Sequence, residues 1–113
     1  MQRQTEVDDA LTSRYTREEA KKLLAKLTND ERLAISYIKG TFYVQEPMRV
    51  GALRGKMVGG HSLSEGQFAS AIRSLEEKHI IPKLDLNYDM VIRLTRSGLE
   101  LTYAMVDLKK ERR

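Results

Sequence analysis

The strongest constraint on the fold is a change of periodicity between Ser64 and Leu101. Ser64 and Gln67 form the capping-box pair that begins a helix. The apolar residues that follow at helical spacing are Phe68, Ala71, Ile72 and Leu75. From Pro82 to Leu94 apolar and polar residues alternate with a period of two, which is strand spacing. The sequence therefore predicts a helix over 64–79, a β-hairpin over 82–94 turning at 87–89, and a final helix to about residue 110.

Two further helices are predicted upstream of this stretch. Thr16 with Glu19 and Thr28 with Glu31 repeat the capping-box spacing, and Gly40 stands where a left-handed residue would end the second helix. Residues 41–44 are β-prone and predict a short edge strand, and Pro47 predicts the first turn of a helix over 47–58. We expect residues 1–15 to form a flexible lead-in and residues 16–113 to form one domain.

Composition limits the possible classes of protein. A chain of 113 residues with 41% hydrophobic and 32% charged residues is typical of one globular domain. It has no cysteine and no apolar run long enough to cross a bilayer, so we expect a cytoplasmic protein without membrane contact. The net charge of +4 permits a polyanionic partner, and no acidic residue lies between Glu46 and Glu65.

No pattern of residues predicts catalysis. The run from Gly51 to Lys56 has one residue too few for a phosphate-binding loop, and Met57 stands in place of the required serine or threonine. His61 and His79 are separated by eighteen positions, and no second ligand accompanies either of them. We therefore expect no enzymatic activity, no catalytic residues, no metal site and no cofactor.

Two short motifs carry a resemblance to a known family. They are Leu75-Glu76-Glu77-Lys78-His79-Ile80-Ile81 and Arg93-Leu94-Thr95-Arg96-Ser97-Gly98. With the element order, they resemble the winged helix-turn-helix regulators of the MarR and PadR type, over about residues 28–106. His79 stands where those regulators commonly have glycine. The resemblance implies an α+β fold, mostly helical, with a small β-hairpin wing and a C-terminal dimerisation helix, and it implies binding to double-stranded DNA.

The polar face of the 64–79 helix is the predicted DNA contact. Arginine can bind guanine through two hydrogen bonds, glutamine can bind adenine in the same way, and serine suits phosphates or base edges. Flanking cations would contact the phosphate backbone. The predicted DNA-binding residues are Arg49, Arg54, Lys56, His61, Ser64, Gln67, Ser70, Arg73, Ser74, Lys83, Tyr88 and Arg93. The alternative for Gln67 is that its side chain serves only the helix cap.

The last helix carries two apolar stripes, one of which can cover the core of its own chain. A second copy of the chain would cover the other stripe, so we predict a homodimer. The predicted interface residues are Leu101, Ala104, Met105 and Leu108. A dimeric transcriptional regulator is the function expected. Two alternatives stay open: a plasmid or chromosome segregation adaptor, and a winged helix that binds a protein partner.

Overall fold

The chain folds as five α-helices with one small antiparallel sheet, within the residues that the computed structural model describes. Those residues are 9, 11–44 and 48–111, with the backbone alone for 41–44. In chain order the elements are α1 (Arg17–Lys26), α2 (Asn29–Val44), β1 (Met48–Arg49), α3 (Val50–Arg54), α4 (Glu65–Glu77), β2 (Val91–Ile92) and α5 (Arg96–Glu111). A π-helical turn, Gly55–Gly59, continues α3. The domain is mostly helical, as expected.

Three helices begin at the predicted capping boxes. In each box the hydroxyl accepts from a backbone N–H three positions later, and the side chain at that position accepts from the backbone N–H of the capping residue. The pairs are Thr16–Glu19, Thr28–Glu31 and Ser64–Gln67, with distances of 2.8–3.1 Å. These hydrogen bonds confirm the three predictions. The sequence could predict them because each cap depends only on two residues three positions apart in the chain.

The predicted end of α2 is wrong. The helix continues through Gly40 to Val44, so residues 41–44 are helical and not an edge strand. An added Cβ at Gly40 would meet no atom within 4 Å, so no close contact requires a glycine there. The edge strand lies instead at Met48–Arg49, and α3 begins at Val50. Pro47 lies outside the described residues.

The predicted hairpin is also wrong. Residues 82–90 are irregular, with turns at 85–86 and 88–89, and Asp85 and Leu86 have positive φ angles of 51° and 54°, which interrupt any strand. The first backbone N–H groups of α3 replace the missing strand partner: Val50 N donates to Met90 O (2.9 Å), and Gly51 N donates to Tyr88 O (3.0 Å). Helix N-terminal N–H groups need acceptors from outside the helix, and here this loop supplies them.

Only a short piece of the returning strand pairs. Met48 is opposite Ile92, and Arg49 is opposite Val91. A strand before the α3–α4 pair is therefore joined to a strand after it. This sheet holds the start of α3 beside the segment that leads into α5.

Helix α4 ends in the geometry of a glycine C-cap, although the residue at the capping position is His79. His79 has a φ of 61°, its N–H donates to Glu76 O, and the N–H of Ile80 donates to Leu75 O, both at 3.0 Å. This is the Schellman arrangement, in which the left-handed position favours glycine. Ile80 and Leu75 are both fully buried, which supplies the apolar contact that accompanies such a cap.

The second motif joins α5 to this helix end. The hydroxyl of Thr95 accepts from Gly98 N (3.1 Å), and it lies 2.5 Å from His79 O and 3.0 Å from Ile80 O. An added Cβ at Gly98 would lie 2.5 Å from Ile80 O. The glycine therefore allows α5 to start directly against the chain that leaves α4.

Part of the expected lead-in is bound to the domain. Arg14 N donates to Ser97 Oγ (2.7 Å), Arg96 N donates to Asp9 O (2.7 Å), and Tyr15 Oη donates to Lys78 O (2.6 Å). The lead-in prediction is therefore corrected for residues 9 and 11–15, since these contacts hold them against α4 and α5. Residues 1–8 and residue 10 lie outside the described residues.

Candidate nucleic-acid interface

Helix α4 has one buried face and one open face. Phe68, Ala71, Ile72 and Leu75 are buried in the core. The exposed residues of the same helix are Glu65, Gly66, Gln67, Ser70, Arg73 and Glu77. Of the residues of this helix predicted to contact DNA, Gln67, Ser70 and Arg73 belong to the exposed set and Ser74 does not. A surface of this shape can approach a partner without any rearrangement of the core.

Two of the predicted contacts take part in the helix cap. Ser64 Oγ accepts from Gln67 N (3.0 Å), and Gln67 Oε1 accepts from Ser64 N (2.8 Å). The alternative for Gln67, a capping role, is therefore what this structure shows. Its amide nitrogen is not used by the cap, and the side chain is exposed.

Ser74 faces α2 and not the open face. Its hydroxyl donates to Glu31 Oε2 (2.7 Å), and Lys78 Nζ donates to the same carboxylate oxygen (3.0 Å). The Glu31 side chain is 4% exposed. Burial raises the pKa of Glu31, but the Thr28 N–H, the Ser74 hydroxyl and the Lys78 ammonium outweigh it and leave this pKa below its ordinary value. Ser74 thus links α4 to α2, and its hydroxyl proton is already donated within the chain.

Ser70 and Arg73 are the two residues of α4 that were predicted to contact DNA and that have no role in a cap or an interhelix contact among the described residues. Both are exposed, and Arg73 forms no hydrogen bond or ion pair with another described residue. Ser70 lies in an open groove between α4 and the first turn of α2, where Thr28 and Asp30 form the other wall. The Arg73 guanidinium and the Ser70 hydroxyl can therefore donate hydrogen bonds to a partner without breaking a contact within the described part of the chain.

Arg54 is already paired. Its Nε donates to Glu65 Oε1 (2.8 Å), its Nη2 donates to Glu65 Oε2, and its guanidinium lies over the Tyr88 ring, 5.6 Å from the centroid. The hydrogen bond between them raises the pKa of Arg54 and lowers the pKa of Glu65. This cluster joins α3, the start of α4 and the 85–90 loop, and its net charge is about zero.

Lys56 and His61 gather around a tyrosine of α2. Lys56 Nζ lies 5.6 Å from the Tyr37 ring centroid, and His61 Nε2 lies 2.7 Å from Tyr37 Oη. The imidazole also packs edge-on to the phenol ring. The sequence pattern does not single out Tyr37, because a tyrosine at helical spacing among apolar residues gives no indication of a polar partner. These three exposed or half-exposed groups hold the π-helical turn against α2.

The remaining predicted contacts lie on exposed chain around the sheet. Arg49 donates to Asp89 O, and Lys83 lies 4.0 Å from Asp85 at the edge of ion-pair distance. Arg93 is exposed and has no ion pair with another described residue. Tyr88 is 46% exposed, although it stacks with Arg54 as above. Cations therefore surround α4, but they are spread over separate elements.

The predicted dimer interface needs correction at Leu101 and Ala104. Leu101 and Ala104 are fully buried within the chain, where α5 packs against α1. Met105 and Leu108 are half-buried against the same core. The other stripe of α5 is the more open one, with Tyr103 39% and Val106 37% exposed. Both stripes of α5 are apolar, so the sequence pattern placed Leu101 and Ala104 in the interface, whereas the packing of α5 on α1 places them in the core of one chain.

No group of three histidine, cysteine, aspartate or glutamate side chains converges among the described residues in a geometry that could hold a metal ion. No described helix has the length and apolar character required to span a membrane.

Comparison of the chain with known protein families, with curated proteins and with solved structures found no match in any of the three.

Proposed function

We propose that the chain is a winged helix-turn-helix protein that binds double-stranded DNA through the open face of α4. In this proposal α3 and α4 form the helix-turn-helix pair, and α4 is the recognition helix. The observation that carries the proposal is that Ser70 and Arg73 lie exposed on a helix whose opposite face is fixed in the core. Such a rigid, polar helix face fits the major groove.

The order of the sheet supports the same architecture. An edge strand, β1, precedes the helix pair, and β2 follows it as the returning strand. Residues 82–93 take the place of the wing in this proposal, and their role is limited to contact with the DNA backbone by Lys83 and Arg93. We therefore assign base contacts to Ser70 and Arg73 and phosphate contacts to Arg49, Lys83 and Arg93, which are all exposed.

A two-fold dimer would place two α4 helices at half-sites about 34 Å apart along the duplex. The side of α5 that carries Tyr103, which is 39% exposed, is the surface on which a second copy would pack. A dimer of this kind would act in transcriptional regulation. The dimer and the regulatory role both rest on the proposed DNA binding.

Selection of randomised duplexes followed by anisotropy titration tests the proposal. We expect an enriched, two-fold symmetric site whose affinity falls steeply as salt rises. Arg73→Ala should reduce the preference for one base pair by about 5-fold or more, since a bidentate contact is worth about 1–3 kcal/mol. Lys22→Ala, an exposed change on α1, is the matched control and should leave the preference unaltered. The absence of any duplex binding at low salt would refute the proposal.

A second candidate is a winged helix that binds a protein partner. The Arg54–Glu65 pair favours it, because it neutralises a cation beside the start of α4 and leaves this surface without a strong positive field. In that case Arg73→Ala would weaken the protein complex, and duplex DNA would fail to compete with the partner.

A further inference from the structure

A separate groove lies between α1, α2 and the C-terminal half of α5. We name it the basic groove. Its apolar lining consists of Leu24, Ala25, Met105, Val106 and Leu108. Ala25 and Val106 are exposed, and the two side chains Met105 and Leu108 are half-buried. An apolar, concave surface between three helices can accept the apolar face of a further helix.

The rim of the groove is positively charged. Its charged lining residues are Lys21, Arg32, Lys39, Lys109 and Lys110, and no described carboxylate lines it. Glu111 neutralises Lys21, with 2.8 Å between Nζ and Oε2, and Arg32 donates to Leu24 O. Lys39, Lys109 and Lys110 form no ion pair with another described residue. Three ammonium groups therefore surround an apolar floor without a counter-charge from the described part of the chain.

The groove is distinct from the proposed DNA-binding surface. Lys39 lines the groove, whereas Tyr37 contacts Lys56 and His61 on the other side of α2. Two positions along a helix are about 160° apart around its axis, so the two residues point in nearly opposite directions. A partner in the groove would approach α2 from a side different from that of the helix-turn-helix pair. Both surfaces could be occupied together.

We propose that the basic groove binds an acidic amphipathic helix of a partner protein. The apolar floor would receive the helix's apolar stripe, and aspartate or glutamate beside that stripe would pair with Lys39, Lys109 and Lys110. Charge complementarity selects this occupant over a second copy of the chain, whose equivalent groove would present like charges. The flexible thioether of Met105 suits a surface that adapts to the partner's side chains.

Selection from a displayed peptide library tests this proposal on the intact chain. The library presents helices of about 18 residues, or five turns, with randomised positions. We expect enriched peptides to combine a net negative charge with apolar residues at helical spacing. A labelled, enriched peptide should bind the Lys39→Glu, Lys109→Glu double variant at least about fivefold more weakly, and should bind the Lys22→Glu control within about twofold of the unaltered chain. Ala25→Glu, an exposed change in the groove floor, should weaken binding at least as much.

Several outcomes would overturn the proposal. Enrichment of neutral or basic peptides, no enrichment, or binding that survives the double variant would each contradict it. A homodimer dispersed by Ala25→Glu would place a second copy in the groove. Binding to phosphatidylserine vesicles or to duplex DNA that the double variant abolishes would identify a membrane surface or a nucleic acid as the occupant. Thermal unfolding of each variant shows whether its fold is intact.

Discussion

Gly98 is the position where adding a single methyl group tests the packing of α5 most sharply. An alanine Cβ there would lie 2.5 Å from Ile80 O and 3.0–3.1 Å from two carbons of Leu94. Overpacking of this kind costs about 3 kcal/mol when the obstacle is backbone, which has no alternative rotamer. Replacing glycine by alanine in a helix returns about 1 kcal/mol. Gly98→Ala should therefore lower the free energy of unfolding by about 2 kcal/mol.

Gly40→Ala is the matched control, because the same change there meets no atom within 4 Å. Its helix propensity gain should raise the free energy of unfolding by about 1 kcal/mol. For a domain of this size, 1 kcal/mol shifts Tm by about 4 °C, so thermal unfolding followed by circular dichroism should show Gly98→Ala about 8 °C lower and Gly40→Ala about 4 °C higher. An equal rise in Tm for both variants would refute the close contact between α5 and Ile80.

Three further predictions concern stability. His79→Gly should raise the free energy of unfolding by about 1 kcal/mol in urea titrations, because His79 occupies a left-handed position; an unchanged midpoint would contradict this. Leu101→Ala should lower it by about 2–5 kcal/mol, since Leu101 is fully buried within one chain; a cost seen only as a change of oligomeric state would show that the side chain belongs to an interface. The pKa of Glu31 is lower in the folded chain than in the unfolded one, so its contribution is complete above about pH 4.3 and is lost as pH falls through the folded pKa. Glu31→Gln should flatten this acid limb of stability, and an identical pH profile would contradict the role of the carboxylate.

The features that the sequence predicted correctly are those decided by neighbouring residues. The caps at Thr16, Thr28 and Ser64 each depend on a side chain three positions away. The faces of α4 follow from its period, which is unambiguous because apolar and polar residues separate cleanly. Ser74 was missed as a structural residue, since the capping role of Glu31 gave no indication of a second role against α4.

The features that failed depend on contacts distant in the sequence. Residues 82–90 have strand periodicity, but their carbonyl groups bind the start of α3 at Val50 and Gly51. Gly40 has no property that distinguishes a helix end from a helix interior until the packing of α2 is known. The apolar stripes of α5 are similar in composition, and only the contact with α1 shows that Leu101 and Ala104 belong to the core.

The most direct test of the account is an NMR titration of the isotopically labelled chain with the duplex enriched by selection. If the open face of α4 contacts DNA, the largest amide shifts will occur at Gly66, Ser70 and Arg73, which are exposed on it. Arg73→Ala should reduce those shifts at equal duplex concentration. Shifts confined to α1 and the C-terminal half of α5, or no shifts at all, would contradict the central claim.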